Sequence, residues 1–474
     1  MYRVLPIFVF SFLVSLTSAQ NLEFTLAEPQ PQLIDVYSGS SDSGDIDGDG
    51  DNDLIISGID PGKRTALYLN DGQGNFAEDV DTPFPDASVS VTFFEDLDGD
   101  GDLDLFFSGN GFGLQEFAHV YLNDGQGEFT LLQNEDLPAF ADTGVSLADL
   151  NGDGDVDIVL DVLTADQAFV AGVFLNDGNA GFTFVESAAF VPVQFARIEC
   201  FDADGDMDND VVISGDEENG SVSVRLYLND GEGNFTEDES VDLIQLKADD
   251  IDGFDSDDDG DMDLLISGAS IDSGVQTTLY LNDGEGVFSP LASSGIQNTF
   301  AGTNAVADLD NDGDDDLVIL GSQDGGLPNI YNIVYANQGE NVFVPVDTVG
   351  GEYIAACAVN DFNGDALPDL VIQGFVDDTN VYWNSTSPTG LKEEGVIPFE
   401  VYPNPFEDVF YVRPETESTQ FSLQVVDIMG KVIFEQSYSS NGRLLVSVPE
   451  IPGGVYLLQL RSKGSISTKR IVKE

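Results

Sequence analysis

The sequence predicts an all-β fold, a seven-bladed β-propeller of four-stranded blades followed by a small C-terminal β-sandwich, and three observations carry that expectation. A nine-residue acidic pattern recurs seven times along the chain. A hairpin signature recurs at its own fixed phase between the acidic stretches. No helical periodicity of useful length interrupts them, so the repeating unit is built from strands.

The acidic pattern begins at Asp45, Asp96, Asp149, Asp202, Asp255, Asp308 and Asp361, a first step of 51 residues and then steps of 53. Compositional bias does not hold a period so closely. Repeats of this length mean stacked or radially arranged supersecondary units.

Within each unit the first strand runs into the acidic stretch, and the second is the apolar run after it, such as "LIISG" or "LLISG". The third leads into "YLNDGQGNF" at 68–76 and its counterparts at 121–129, 174–182, 227–235 and 280–288. Asp-Gly with neighbouring glycines between two apolar runs is a hairpin signal, and the motif reads as a turn with no ligand. The fourth strand begins at the phenylalanine that follows.

Unit seven stops at Tyr382, Trp383 and Asn384 and lacks a fourth strand. Phe24 precedes Asp45 by 21 residues, close to the 20 that separate each hairpin phenylalanine from the next acidic stretch. Residues of about 22–27 are therefore expected to complete blade seven, which removes two open sheet edges at once.

The acids themselves have a chemistry. In "DSDDDGDMD" (255–263) the carboxylates alternate, glycine holds the sixth place and an acid closes the ninth. That arrangement supplies the oxygen cage a hard cation such as Ca²⁺ requires, and the ion offsets the repulsion. The candidate ligands are Asp45, Asp47, Asp49 and Asp53; Asp96, Asp98, Asp100 and Asp104; Asp149, Asn151, Asp153 and Asp157; Asp202, Asp204, Asp206 and Asp210; Asp255, Asp257, Asp259 and Asp263; Asp308, Asp310, Asp312 and Asp316; Asp361, Asn363, Asp365 and Asp369. Up to seven ions are expected. The loops at Asp202 and Asp361 should be weaker, because Met207 and Ala366 stand where the turn favours glycine.

With those loops in phase, residues 21–384 resemble the FG-GAP/VCBS repeat proteins, whose blades form propellers like the head of integrin α subunits. The resemblance implies Ca²⁺ in the loops and a role in binding proteins or glycans. It does not name the ligand.

The ends of the chain read differently. Residues 1–19 combine Arg3, a short apolar run and small residues before a cut after Ala19, as a secretory signal does. No other segment approaches a transmembrane length. Residues 20–384 form the propeller, 385–396 a polar linker and 397–474 a separate domain. In that last domain "YPNP" (402–405), "VVDIMGK" (425–431), "PGGVYLLQL" (452–460) and the terminal "STKRIVKE" look like the type A C-terminal sorting domain of the type IX secretion system of Bacteroidota. This resemblance implies handling by that machinery and a secreted or cell-surface protein.

Residues 21–384 carry five basic and 77 acidic side chains. Such a field excludes nucleic acid and anionic membranes as partners, even with seven divalent ions bound. Lys63 and Arg64, the adjacent bases, read as a solvated turn. His119, the single histidine, reads as a strand residue, and Cys200 and Cys357 as two buried free thiols, since they lie too far apart in the ring to bridge. A general acid and base cannot be picked out of so many carboxylates. The expectation is therefore a calcium-stabilised binding or adhesion module without a catalytic site, the alternatives being a lyase-like polysaccharide-degrading enzyme or a passive envelope protein.

Overall fold

The computed structural model describes residues 22–386, apart from 60–61, 112–114, 134–136, 141–143, 164–168, 271–273, 324–329, 331, 340, 351–355 and 376–378, and the strands of a second unit within 399–473. The signal segment and nearly all of the linker lie outside the described residues. The chain divides into units 1–387 and 388–474.

The first unit is the propeller. Strand β1 (Phe24–Leu26) stands apart from the four strands of blade one, β2 (Ser41–Gly44), β3 (Asp53–Ile59), β4 (Lys63–Asn70) and β5 (Phe76–Asp79). These four pair in sequence order, and the pattern repeats in five further four-stranded sheets. Blade seven takes Ala356–Asn360, Asp369–Gln373 and Asn380–Asn384, and β1 adds the fourth strand in the register Phe24 to Asn384, Thr25 to Trp383 and Leu26 to Tyr382. The N-terminal strand thus closes the ring as expected.

Every second strand starts at the last acid of the loop before it: Asp53, Asp104, Asp157, Asp210, Asp263, Asp316 and Asp369. These strands are covered on both faces by neighbouring blades, which is why they are continuously apolar rather than alternating. Leu54, Ile55 and Ile56 are each fully buried, and side chains of this kind contribute about 1.5–3 kcal/mol apiece. The fourth strands start a residue later than the hairpin phenylalanine in blades two, three and five, at Thr130, Thr183 and Ser289. Tyr68, Tyr227, Tyr280 and Tyr335, at the end of the third strands, each accept a backbone N–H from the preceding connection, at Ile34, Val191, Ile244 and Gln297.

Two details correct the reading of the sequence, and a third adds to it. Lys63 and Arg64 open β4 rather than sitting in the turn, because pairing resumes at Ile59 and Lys63; Arg64 then lies 3.6 Å from Glu78. Cys200 and Cys357 are free but only half-buried, as Cys357 borders the central cavity. The entry to the first strands is bulged: Ser38, Val89, Phe195 and Ala301 all have φ between 47° and 57°.

The second unit holds a three-stranded sheet (Phe399–Tyr402, Val409–Pro414, Leu444–Ser447) and a four-stranded one (Val432–Tyr438, Phe421–Asp427, Gly454–Ser462, Ser465–Lys473). Phe410, Val412 and Val446 of the first meet Leu423, Val425 and Leu458 of the second in one buried cluster.

Candidate metal centres

Each acidic loop is folded by its own carboxylates. In loop one, Asp45 Oδ1 accepts the N–H of Gly48 at 2.8 Å and Oδ2 that of Gly50 at 3.1 Å. The first acid does the same at Gly50's equivalent in the other six loops: Gly101, Gly154, Met207, Gly260, Gly313 and Ala366. The fifth-place acid accepts the N–H two residues on, as Asp49 does from Asp51 at 3.0 Å. Such turns are what short acidic side chains build locally.

The sixth place is left-handed throughout, with φ from 91° to 102° at Gly50, Gly101, Gly154, Gly260 and Gly313, 74° at Met207 and 67° at Ala366. The fourth place is left-handed as well. Gly48, Gly99, Gly152, Gly205 and Gly364 occupy it, but Asp258 (φ 61°) and Asn311 (φ 56°) do so in loops five and six. Reading the sequence for the sixth place alone misses this. The signal is that only Gly, Asp and Asn stand at the fourth place, the residues that tolerate this conformation best.

The ninth-place acids are buried and do a second job. Asp53 Oδ2 accepts the N–H of Ile46 at 3.2 Å and Oδ1 that of Asn70 at 2.8 Å. The equivalents at Asp104, Asp157, Asp210, Asp263, Asp316 and Asp369 repeat both bonds. Burial pushes Asp53, Asp210 and Asp369 up to about 7 and Asp316 up to about 8, against the backbone hydrogen bonds that pull down.

Carboxylate oxygens converge at five of the seven loops. One oxygen from each of Asp45, Asp47 and Asp53 lies within 4.8 Å of the others, and so do those of Asp96, Asp98 and Asp104; Asp202, Asp204 and Asp206; Asp255, Asp257 and Asp259; and Asp308, Asp310 and Asp316. In the loops at Asp149 and Asp361 the third place is an amide; Asn151 accepts the N–H of Asp153, and Asn363 donates to Asp369. Asp49, Asp100, Asp153, Asp312 and Asp365, with Asp149 and Asp361 and the ninth-place Asp157, Asp210, Asp263 and Asp369, fall outside the converging triplets but within the seven loops.

The third-place acids test whether a cation fits. Asp98 Oδ1, Asp204 Oδ1 and Asp257 Oδ1 are buried and accept no hydrogen bond. Asp98 and Asp204 are raised chiefly by burial and then by the charges of Asp100 and Asp206. A buried acceptor without a donor is costly, and a hard divalent cation satisfies an all-oxygen set of this kind. The residues fit such an ion.

The hairpins are more than turns. Asn123 Nδ2 donates to the carbonyl of Ile46 in the preceding blade's acidic loop at 2.7 Å and to Leu103 of its own at 3.0 Å. Asn70, Asn176, Asn229, Asn282, Asn337 and Asn384 make the same cross-blade bond, to Phe362, Leu97, Leu150, Ala203, Ser256 and Leu309. An asparagine at the end of the third strand in all seven units, 53 residues apart in the first five, is the sequence signal for these staples. Trp383, in the leucine place of the motif, packs toward Gly74, where an added Cβ would meet its ring at 2.4 Å.

A ring of seven β-blades carrying acidic turn loops defines a propeller of repeated modules. Residues 45–107, 96–160, 255–319 and 308–372 match the FG-GAP-like repeat, and residues 400–474 match the secretion system C-terminal sorting domain. The chain is an FG-GAP-repeat propeller protein bearing a type IX sorting domain, which marks it for export to the cell surface or extracellular space. The matched repeats leave out the loop at Asp202, the one that carries Met207. No curated protein matches the sequence. Among solved structures, a fungal alcohol oxidase in complex with copper has a TM-score of 0.50 at 14% identity, covering 96% of this chain and 99% of its own, a likeness of fold alone. The BP39L lectin from Burkholderia pseudomallei has a TM-score of 0.49 at 12% identity, over 75% of this chain and 99% of its own. Among the described residues no helix is long and apolar enough to cross a membrane.

Proposed function

We propose that this exported propeller is stabilised by calcium in its acidic loops and acts as an extracellular or surface binding and adhesion module for a protein or glycan. Calcium is favoured over magnesium because it accepts about six to eight oxygens in irregular geometry, whereas magnesium demands a near-ideal octahedron. Three orphaned third-place oxygens and five converging triplets support an ion in the loops.

The observation that carries the binding reading is a cleft of about 630 Å³ between blades four and five. Gly220, Ser221 and Gln245 come to it from the connections between the second and third strands and between blades, segments that differ from unit to unit. Variable loops on rigid blades are where recognition usually resides. Phe195 beside it is 54% exposed, and the Lys247 ammonium lies 3.9 Å from its ring centre. Lys247 also pairs with Asp216 at 3.5 Å, so the ionisable groups of the cleft are engaged with each other. An exposed ring framed by hydroxyl and amide groups suits a sugar face or an extended peptide.

The test is a glycan and protein array screen of the exported protein beside a polysaccharide depolymerisation assay. Ligands captured by the wild type and lost in Phe195→Ala support the reading. Depolymerisation of any polysaccharide would make the protein an enzyme instead, and capture of nothing would leave a passive envelope role.

A further inference from the structure

The innermost strands of the seven blades surround a central cavity of about 350 Å³, away from the acidic loops. Its ionisable walls are Arg197 and Glu199 of blade four, Asp249, Asp250 and Asp252 of blade five, and the thiol of Cys357 in blade seven. The residue three places before each acidic loop is Asp42, Phe93, Ser146, Glu199, Asp252, Ala305 or Ala358, so only blades four and five set carboxylates side by side at this level of the ring.

Most of these groups are accounted for. Arg197 Nε donates to the carbonyl of Asp249 at 2.6 Å. Asp249 accepts the N–H of Ala301 at 2.9 Å, and Asp250 accepts Thr303 Oγ1 at 2.6 Å and the N–H groups of Asn304 and Ile251 at 2.7 and 3.2 Å. Glu199 and Asp252 each use one oxygen, Glu199 Oε1 from Gly253 at 3.4 Å and Asp252 Oδ2 from Asn304 Nδ2 at 2.8 Å. Their second oxygens accept nothing from the described residues.

Asn304 supplies an independent observation. It lines the cavity, is 7% exposed, and donates its Nδ2 to Asp252 and, at 3.2 Å, to Ser267 Oγ. Its Oδ1 is buried and has no partner. Reversing the amide would set that oxygen against the Asp252 carboxylate, so Nδ2 is the end turned to Asp252 and Oδ1 the end left without a donor.

Three acceptors without donors therefore border one cavity: Glu199 Oε2, Asp252 Oδ1 and Asn304 Oδ1. Burial pushes Glu199 up to about 8, and burial with the charges of Asp250 and Glu199 raises Asp252; burial raises Asp249 and Asp250 as well, but there hydrogen bonds from Ala301, Thr303 and Asn304 and the charge of Arg197 pull the other way. The converging triplets that suit a bare metal ion lie in the acidic loops, and among the described residues none lies here. A primary ammonium carries three N–H donors and one positive charge.

We infer that the central cavity binds the primary ammonium group of a small amine or a lysine side chain, held by Glu199, Asp252 and Asn304. The site is separate from the cleft between blades four and five and does not depend on what that cleft binds.

Titration calorimetry on the calcium-loaded exported protein tests this with three probes: 1,4-diaminobutane, Nα-acetyl-lysine methylamide and, as an uncharged control, 1,4-butanediol. The expected result is saturable binding of at least one amine at one site per chain and none of the diol. A response to the diamine alone identifies a free amine as the ligand; a response to the lysine derivative identifies a peptide side chain. Glu199→Gln and Asp252→Asn keep the hydrogen bonds from Gly253 and Asn304 and should each weaken the amine at least tenfold without lowering the melting temperature. No saturable amine binding, equal binding of the diol, or unchanged affinity in both variants overturns the inference. Displacement of the amine by raising calcium would also overturn it, by making the cavity a site for an inorganic cation.

Discussion

Asn70 of blade one donates its Nδ2 to the backbone carbonyl of Phe362 in the acidic loop of blade seven, 2.9 Å away and 292 residues later in the chain. The same bond joins every other adjacent pair of blades, and its acceptor is always the second residue of an acidic loop. Ring closure thus uses two devices, the β1 strand at blade seven and this amide staple, and the staple ties the hairpins to the metal loops.

Removing one staple should loosen a blade boundary. Asn229→Ala deletes donors to the carbonyls of Leu150 and Asn209, at 2.8 and 2.9 Å, both at buried or half-buried positions. Two lost hydrogen bonds with their acceptors left dry cost about 2–4 kcal/mol. Urea unfolding of the calcium-loaded protein measures it, and an unchanged midpoint would show that water replaces the amide freely.

Burial of Glu199 predicts a pH dependence with a definite sign. Its carboxyl rises from 4.5 to about 8 on folding, so the folded state holds a proton that the unfolded state releases. The stability tied to that proton is present below about pH 4.5 and is lost as pH rises through about 8. The groups around it are Asp250 and Asp252 across the blade boundary and Arg197 on its own strand. Melting curves of the wild type and Glu199→Gln, compared from pH 5 to pH 8 in excess calcium, should diverge toward pH 8, with the variant the more stable. Parallel curves would mean that Glu199 reaches solvent.

The sorting domain should be separable from the ring. Contacts divide the chain at residue 387, and the second unit has its own buried cluster around Phe410, Val425 and Leu458. Deleting residues 397–474 should leave a propeller with the melting temperature of the parent, retained in the periplasm. Fractionation and immunoblotting decide it, since normal levels in the medium would show that export does not need the tail.

The ring was legible because its period is written in residues that each serve one geometric demand. Phe24 lies at the hairpin-phenylalanine phase, and the structure pairs it with Asn384. Met207 and Ala366 stand at the glycine place, and both adopt positive φ. What stayed hidden depends on contacts between blades. Nothing local distinguishes the hairpin asparagine from an ordinary turn residue until the neighbouring loop is brought beside it. The ninth-place aspartates look like ligands alone, but each also holds two backbone N–H groups. Glu199 and Asp252 were lost among the 77 acids of the ring, since only the innermost position of their strands makes them meet.

The cleft between blades four and five makes a prediction about recognition that leaves stability untouched. Replacing residues 217–221, "EENGS", by a Gly-Ser turn changes its rim without entering the buried parts of the flanking strands. Arg225 would lose Glu217 at 2.8 Å but keep Glu237, a half-exposed arrangement in which one pair is worth about 0–1 kcal/mol. Partner capture should fall at least tenfold with the melting temperature nearly unchanged. Full capture would move the ligand to the loop face or the outer rim.

The seven loops should not bind calcium equally, and backbone strain ranks them. Loops one to three have glycine at both left-handed places, so nothing opposes the bound conformation. Loops five and six carry Asp258 and Asn311 at the fourth place, residues that accept positive φ at little cost. Loops four and seven carry Met207 and Ala366 at the sixth, and a side chain there costs on the order of 1 kcal/mol, roughly a fivefold loss of affinity. Loop seven, like loop three, also has an amide in place of its third-place acid. Each ion that binds only the folded ring stabilises it by about 2.7 kcal/mol at a hundredfold excess over its dissociation constant. Chelation should therefore lower the melting temperature sharply, and a calcium titration should resolve about five tighter sites and two weaker ones. Met207→Gly should tighten the fourth loop roughly fivefold, by relieving the cost just named. Asp259→Ala removes the fifth-place carboxylate that also accepts the N–H of Asp261 at 3.0 Å, so it should empty loop five and lower the melting temperature. A chelated protein that melts with the calcium-loaded one would end this account, because the orphaned oxygens of Asp98, Asp204 and Asp257 would then need a different partner.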